Sequence, residues 1–354
     1  MTSKERFYAC MNRKYPDRTP IAPLHGDGRV IPDLCEKLGV QSIDEFREKV
    51  GEDFRYVIPD YVGPKLKVLE DGGYEDIWGV HYHRNNVVGG FYWEPSFRPY
   101  EHIETLEEAK SIRIPSPDWY DYSVISDKID KLQNKVIIIG SMGAFDFING
   151  VSFMRGYEQT MLDIADENPI YLYLVERRFD FFYQVLERTL SAGKGKIDVT
   201  YVGDDLGSQL GPLISPSVFE RLFAPKYKEA FKMIHEHGAK TMMHSCGAVR
   251  SFIPILIDIG LDILDVVHVD AVGMDLQGLF DDFHDKLTFC GTLSVQTFLN
   301  NAKPEEIIAE ISWRKRLFRD GGLILGPSNM MQPDMPFENF LAMCKAIGCM
   351  EETY

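Results

Sequence analysis

The chain has 354 residues, of which 45% are hydrophobic and 26% charged, and this composition is typical of a globular protein with a substantial core. Its 54 acidic and 38 basic side chains give a formal net charge of −16, which argues against nucleic acid or an anionic membrane as a partner. The start of the chain lacks the apolar core of a signal peptide, and no later run approaches the roughly 20 apolar residues that cross a bilayer. Six cysteines do not form a disulfide framework. We therefore expect a cytoplasmic protein with reduced thiols.

Eight short apolar runs predict strands, and their lack of regular alternation is typical of a parallel sheet that is covered on its outer face. In chain order, the predicted strands are Pro20–Leu24, Phe54–Ile58, Val136–Gly140, Ile197–Val202, Thr241–His244, Ile263–Val267, Leu287–Cys290 and Leu323–Gly326. Amphipathic segments lie between the later runs and predict helices over Asn168–Leu190, Ser215–His237, Val249–Ile259 and Pro304–Phe318. This alternation predicts a (β/α)₈ barrel, with a doubly wound open sheet as the structural alternative.

The segment Lys65–Pro95 departs from this alternation, because it combines Gly-Gly turns, alternating residues and aromatics. It predicts a small antiparallel meander inserted after the second strand. The insertion could cover the mouth of the barrel and place Trp78 and Trp93 against a substrate. The alternative is that these aromatics only pack the insertion against the barrel. The chain contains no internal repeat or flexible linker, so we expect one domain over residues 1–354.

Polar side chains of the kind that bind metals or substrates follow nearly every predicted strand. In a barrel of this kind, reactive residues come from the C-terminal ends of the strands, which together form its mouth. The candidate catalytic residues are Asp204, Asp205 and His268. The candidate substrate contacts are His25, Arg29, Trp78, Trp93, Tyr201 and Asn329.

His244 and Cys246 are two residues apart at the end of the fifth strand, so both side chains project to the same side of an extended chain. Imidazole and thiolate groups are good Zn²⁺ ligands, and a catalytic zinc takes three protein ligands and leaves one position free. Cys290, two strands further along, is the candidate third ligand, with His268 in reserve. The alternative for Cys290 is a small buried hydrophobic residue.

Asp204 and Asp205 are adjacent, so their side chains cannot reach the same point at a strand end. One is expected to face the mouth, as a general base or as a carboxylate that orients a metal-ligating histidine. The other is expected to cap the following turn. The alternative is a purely structural role in capping a helix or accepting from loop amides.

Several stretches of the chain together resemble the uroporphyrinogen decarboxylase superfamily, especially its branch of decarboxylase-like proteins and corrinoid-linked methyltransferases. The matching stretches are ERFYACMNRKYPDRTPIAP, DIWGV, YVGDDLGSQLGPLISP, HEHGAKTMMHSCGAV, DAVGMD, KLTFCGTLSVQ and LILGPSNMMQPDMPFEN. The resemblance covers essentially the full length and implies a (β/α)₈ barrel, in agreement with the strand pattern.

The resemblance also distinguishes between reactions. True uroporphyrinogen decarboxylases carry an arginine-rich motif after the first strand that binds the carboxylates of a porphyrin. The corresponding stretch here is LHGDGR, in which Arg29 is the only cation and Asp27 stands near it. A substrate with many carboxylates needs several positive partners. The stretch therefore counts against porphyrin decarboxylation.

The zinc methyltransferases of the superfamily use a His-x-Cys pair, which His244 and Cys246 match, and a later cysteine in the turn after the last strand. That turn reads GPSNMM here and has no cysteine, so Cys290 is suggested by strand geometry alone. The leading hypothesis is a zinc-dependent methyltransferase that moves a methyl group between a small substrate and a corrinoid carried on a separate partner protein. A methoxylated aromatic is one candidate for the substrate. A homodimer is compatible with the sequence.

Two alternatives remain open. The first is a metal-free decarboxylase of a small carboxylated molecule, with Arg29, Asp204, Tyr201 or His268 in its pocket, which would act by preorganised charge around a developing carbanion. The second is a non-catalytic small-molecule binding protein.

Overall fold

The structure is a computed structural model that describes residues 1–26, 29–87 and 90–350. Asp27 of the first mouth loop, and residues 88 and 89 of the predicted insertion, lie outside the described residues. The strands are β1 (Phe54–Tyr56), β2 (Asp60–Tyr61), β3 (Tyr74–Glu75), β4 (His81–Val87), β5 (Gly90–Phe97), β6 (Tyr120–Asp121), β7 (Val136–Phe145), β8 (Val199–Gly203), β9 (Lys240–His244), β10 (Ile263–Val267), β11 (Thr288–Leu293) and β12 (Leu323–Pro327).

The helices surround this strand framework. They are α1 (Ser3–Met11), α2 (Val30–Leu38), α3 (Ile43–Lys49), α4 (Leu106–Ser111), α5 (Ile125–Asp130), α6 (Asn149–Arg155), α7 (Tyr157–Asp166), α8 (Pro169–Gly193), α9 (Pro216–Leu222), α10 (Ala224–Glu236), α11 (Ile253–Asp258), α12 (Leu276–Phe283), α13 (Pro304–Leu317) and α14 (Phe337–Ile347). Among the described residues, no helix is both long enough and apolar enough to span a membrane.

Seven strands form one parallel sheet in the order β1-β7-β8-β9-β10-β11-β12. Strands that follow one another in this order are joined through helices, which is the pattern of a (β/α)₈ barrel, and the predicted fold is confirmed. Alternate residues on the strands face two different cores. Ile138, Tyr201, Met242 and Cys290 belong to an inner cluster that also contains Phe7 of α1, whereas a larger cluster lies between the sheet and the helices.

The eighth position of the barrel is filled by the segment Pro20–Leu24 without a regular strand. Beside β12, the Ala22 amide donates to the Leu325 carbonyl at 2.7 Å, and the Leu325 amide donates to the Pro20 carbonyl at 2.9 Å. On the side of the segment that faces β1, side-chain carboxylates accept from its backbone amides, in place of the backbone hydrogen bonds of a regular strand pair. Asp53 accepts from the Ile21 amide at 2.9 Å, and Glu52 accepts from the Leu24 amide at 3.1 Å.

The prolines of this segment explain why it is not a regular strand. Pro20 and Pro23 have no N–H to donate to a ladder. The barrel is therefore closed at this seam by two buried carboxylates from the residues just before β1.

The predicted helix Ser215–His237 is wrong as a single helix. It is divided into α9 and α10 at Phe223, and Pro225 lies in the first turn of α10. A proline disfavours helical geometry in the residue before it and cannot donate to the preceding turn, so the chain starts a new helix there. The other predicted helices match α8, α11 with a preceding 3₁₀ turn, and α13.

The insertion after β1 contains an antiparallel sheet in the order β3-β4-β5, as predicted. Its aromatics pack largely on one another: Tyr74 stacks on Tyr82 with ring centroids 5.1 Å apart, and Trp93 meets Tyr74 edge-on at 5.0 Å. Trp78 is buried against Phe181 of α8. These contacts attach the insertion to the helical layer of the barrel.

We predict that Asp53→Asn destabilises the fold by about 3 kcal/mol or more, because it leaves buried cations without their counter-charge. Asp53 is fully buried, and its carboxylate accepts from Arg6 at 2.6 Å and from Arg18 at 2.8 Å besides the Ile21 amide. The free energy of unfolding from urea titration measures the loss. Asp17→Asn is the matched control: Asp17 also pairs with Arg6, but it is 40% exposed, so a loss of about 1 kcal/mol or less is expected. Equal losses in the two variants would contradict the proposed seam.

Candidate metal centre

Three side chains of different chemistry meet at the mouth of the barrel, after β8 and β9. One ligand atom each from Asp205, His244 and Cys246 lies within 4.8 Å of the other two. The Cys246 Sγ is 3.3 Å from the His244 Nε2, and the Asp205 Oδ1 is 3.6 Å from the same nitrogen. His244 is buried, whereas Asp205 and Cys246 are half-buried and face the mouth.

The parallel register of β8 and β9 creates this meeting. Gly203 is aligned with His244, and the Asp204 amide donates to the His244 carbonyl at 3.0 Å. The two turns that follow then bond to each other: the Cys246 amide donates to the Asp205 Oδ1 at 2.9 Å. Gly247 has a φ of +82°, and a Cβ there would lie 2.5 Å from the backbone of the neighbouring turn, so only glycine allows this close approach.

A half-buried carboxylate, Asp265 of β10, lies beneath His244. Its Oδ2 is 3.1 Å from the His244 Nδ1 and accepts from the Tyr201 hydroxyl at 2.5 Å. The Cys290 thiol also bonds to this carboxyl group. Because an ionised carboxylate only accepts, the His244 Nδ1 carries a proton, and the Nε2 is the ring atom that faces Cys246 and Asp205.

These contacts shift the titration of the group. Burial opposes ionisation of Asp265, but the hydrogen bonds from His244, Tyr201 and Cys290 outweigh it and lower the pKa of this carboxyl. Burial also opposes protonation of His244, yet its bonds to Asp265 and Cys246 raise the pKa of the imidazole well above its ordinary value. Burial and the negative charge of Asp265 raise the pKa of the Cys290 thiol and of the Tyr201 hydroxyl. Asp265 is therefore the ionised member of the group beneath His244.

A pocket opens above this group and encloses about 400 Å³, including space that is open to solvent. Asn329, from the turn after β12, donates from its Nδ2 to the Cys246 Sγ at 3.3 Å. The remaining residues of the wall are Ala22, Pro23, His25, Met142, Tyr201, His244, Asp265, Val266, Pro327 and Met330.

The two adjacent aspartates have different surroundings, as the sequence suggested. Asp205 faces His244 and Cys246, and the side-chain Nδ2 of Asn149 donates to the Asp205 Oδ2 at 2.8 Å. Asp204 is fully buried and accepts from the amides of Phe147 and Ile148, just before α6, and from the Tyr227 hydroxyl. Burial raises the pKa of Asp204 well above its ordinary value. The structure thus places Asp204 away from the mouth group, in a capping position.

The structure does not bring Cys290 and His268 into the group of ligand atoms formed by the described residues. Cys290 is fully buried in the inner core, and its thiol bonds to Asp265. His268 is buried as well. Its Nε2 is 3.5 Å from the side-chain amide of Gln209, and its Nδ1 has no partner among the described residues.

The predicted substrate contacts divide into two groups. His25, Tyr201 and Asn329 line the pocket, and the His25 Nε2 is 3.5 Å from the Tyr56 hydroxyl. Arg29, Trp78 and Trp93 are not in its wall. Arg29 is 71% exposed and pairs with Asp33 on α2.

The two tryptophans correct the expectation that the insertion supplies aromatic substrate contacts in this pocket. Trp78 is packed on Phe181 and on the guanidinium of Arg178, and Trp93 on Tyr74 and Phe91. Aromatic residues alternate along a small sheet because they pack well across strands, and this pattern does not indicate which face meets a ligand.

Asp265 and Asn149 are the members of the site that sequence reasoning missed. A signal for Asp265 exists in ILDVV, where a carboxylate interrupts an otherwise apolar strand. A charged residue in such a run must have partners if it is buried, and it therefore marks a site or a structural network. No comparable signal distinguishes Asn149.

The fold and the site define the class of this protein: a parallel barrel with a histidine, a cysteine and an aspartate close together at its mouth. The family model for uroporphyrinogen decarboxylase (URO-D) matches residues 88–349, well over half of the chain. The chain belongs to this family.

The fold is also similar to that of a solved methyltransferase from Methanosarcina mazei, with a TM-score of 0.69. The match covers 98% of each chain at 17% sequence identity, which shows a shared fold. No curated protein matches the chain in sequence.

We predict that Asp204→Ala and Asp205→Ala affect stability differently. Removal of the buried Asp204 leaves the amides of Phe147 and Ile148 without their acceptor, while the Tyr227 hydroxyl keeps the Gly203 carbonyl at 3.1 Å. A loss of about 2 kcal/mol in unfolding free energy is expected. Asp205 is partly solvated, so its removal is expected to cost about 1 kcal/mol or less. Urea titration of both variants measures the difference. A larger loss for Asp205→Ala would contradict the capping position of Asp204.

Proposed function

We propose that the protein is a zinc-dependent methyltransferase that moves a methyl group between a small substrate and a corrinoid bound to a separate protein. The observation that carries the proposal is the cluster of Asp205, His244 and Cys246, whose ligand atoms lie within 4.8 Å of one another beside a pocket that His244 lines. Family membership and the similarity in fold to a methyltransferase support it.

The donor set fits zinc. One imidazole nitrogen, one thiolate and one carboxylate oxygen are ligands that catalytic zinc sites use, and three protein ligands leave a position for a substrate. The carboxylate of Asp265 on the far nitrogen of His244 is the support that zinc-binding histidines commonly have. In this proposal Asp205 takes the place for which Cys290 was the candidate.

When bound, zinc supplies a Lewis acid that stabilises the alkoxide or thiolate form of the substrate as the methyl group leaves or arrives. The chain's own residues position this chemistry. Asp265 fixes the tautomer of His244, and Asn329 donates to the Cys246 sulfur and orients it. His25 and Tyr201 border the space in which a substrate would lie. The His25 imidazole could accept a proton from the substrate or return one to it.

The metal-free decarboxylase receives less support from the pocket. A carboxylated substrate needs a cation or several donors in the wall, and the described residues of the wall include neither lysine nor arginine. Arg29, the cation in the first mouth loop, points to Asp33 instead. The methoxylated aromatic class of substrate also loses its argument, since Trp78 and Trp93 lie outside this pocket.

We predict one tightly bound zinc per chain in protein purified without chelators. Cys246→Ala and Asp205→Ala are expected to lose it, because each removes one of three ligands. Asp265→Asn is expected to weaken zinc binding by about 10- to 100-fold, because the support of His244 is lost. Zinc content by mass spectrometry and affinity by chelator competition are the measurements.

Two cysteine variants serve as controls for the zinc experiment. Cys35→Ala removes a thiol on α2 that has no contact with the site, and it should retain full zinc content. Cys290→Ala should also retain it if Asp205 is the third ligand. Loss of zinc in Cys290→Ala with retention in Asp205→Ala would reverse the ligand assignment, and a wild-type chain without zinc would refute the metal centre.

We predict that the zinc-loaded protein methylates cob(I)alamin, free or on a corrinoid protein. The methyl donors to be tested are small methyl ethers, methyl thioethers and methyl alcohol. The change in cobalt absorbance follows the reaction, and Cys246→Ala should slow it by at least about 100-fold because the substrate atom loses its Lewis acid. Parallel incubation with small carboxylic acids monitors CO₂ release. CO₂ release without any cobalt methylation would favour the decarboxylase.

A further inference from the structure

The wall of the pocket is apolar apart from a few uncharged polar groups and the carboxylate at its floor. The apolar residues are Ala22, Pro23, Met142, Val266, Pro327 and Met330. Neither lysine nor arginine occurs among the described residues of the wall. The residues outside the description add no cation, since the sequence has no lysine or arginine at 27, 28, 88, 89 or 351–354.

The basic side chains on the neighbouring elements already have carboxylate partners. Arg29, at the start of α2, pairs with Asp33. Besides burial, the positive charge of Arg47 of α3 contributes to lowering the pKa of His25. The Arg47 guanidinium already pairs with Glu52 at 3.6 Å and with Asp44 at 3.4 Å. Recruiting either guanidinium to a ligand would require breaking an existing ion pair.

Among the described residues, the floor of the pocket presents a carboxyl group and no lysine or arginine. The Asp265 Oδ2 accepts from the Tyr201 hydroxyl at 2.5 Å and lies 3.1 Å from the His244 Nδ1. With zinc in place, the thiolate of Cys246 and the carboxylate of Asp205 match the two charges of the ion, so the metal offers no excess positive charge to an anionic ligand.

The groups that remain for the outer end of a ligand are an amide and an imidazole. Asn329 offers the amide, and His25 offers the imidazole, whose pKa is lowered by burial. An anionic group placed here would give up its hydration without gaining a counter-charge, which is strongly unfavourable.

We propose that this pocket selects uncharged substrates, namely small thiols, alcohols or their methyl derivatives without a carboxylate, sulfonate or phosphate. The proposal rests on the methyltransferase function proposed above and defines its substrate class. It deepens that function because a wall without cations disfavours acidic substrates, whichever direction the methyl group moves.

The test is the binding of two thiols of equal length to the zinc-loaded full chain by titration calorimetry. 3-Mercaptopropan-1-ol is uncharged at its far end, and 3-mercaptopropionate carries a carboxylate there. We expect the alcohol to bind at least about tenfold more tightly, since the carboxylate meets an apolar wall and the field of Asp265. Equal or tighter binding of the acid would overturn the proposal, as would binding of neither thiol.

Met142 provides a gain-of-binding variant with a matched control. Its side chain is 40% exposed and borders the pocket, so a longer polar side chain can be accommodated. Met142→Lys should reduce the preference for the alcohol by about tenfold or more, whereas the uncharged Met142→Gln should leave the preference in place. An unchanged preference in Met142→Lys would overturn the electrostatic explanation.

The zinc content of each sample separates the two proposals. Stoichiometric zinc without a preference between the thiols refutes the substrate class alone. A chain that binds no zinc refutes the proposed function, and the substrate class falls with it.

Discussion

The candidate site depends on the register of three parallel strands. Gly203, His244 and Asp265 are aligned across β8, β9 and β10, so the residues that follow them emerge at one level of the mouth. Asp205 and Cys246 come two residues after the first two, and an extended chain directs side chains at this spacing to the same side. A one-residue shift of β9 would turn His244 towards the outer face of the sheet, because side chains alternate between faces. The ligand group and the hydrogen bond of Asp265 would then be lost together.

Asp265 connects the structure of the barrel to its electrostatics. A carboxylate that is largely withdrawn from solvent needs hydrogen-bond partners, and three donors converge on Asp265, from β8, β9 and β11. The same three bonds hold it in the ionised form, so orientation of His244 and negative charge below the pocket have one origin. The Cys290 thiol belongs to this group as a hydrogen-bond donor to Asp265. This bond accounts for a cysteine at this buried position of β11, and no metal is needed to explain it.

Much of the fold and part of the site could be predicted from the sequence, for identifiable reasons. Apolar runs separated by amphipathic segments specify a parallel barrel, and the spacing of His244 and Cys246 places both on one side of a strand end. The closure at Pro20–Leu24 could not be predicted, because it depends on buried carboxylates from a distant segment. The partners of His244 depend on register across strands, which single-strand patterns do not contain. The rule that functional residues lie at strand ends therefore indicates Cys290. It does not apply to Asp265, which contacts His244 directly but lies within an apolar run.

Membership of the uroporphyrinogen decarboxylase family establishes the scaffold, and the mouth of the barrel determines the reaction. Two features of this mouth both disfavour a polyanionic ligand. The first loop has Arg29 as its only cation, and the pocket wall has no cation among its described residues. A cluster of arginines that binds a polyanion would repel a dication held a few ångströms away, because like charges in a partly desolvated cleft are poorly screened. A polyanion site and a metal centre of the proposed kind are therefore alternatives on one barrel.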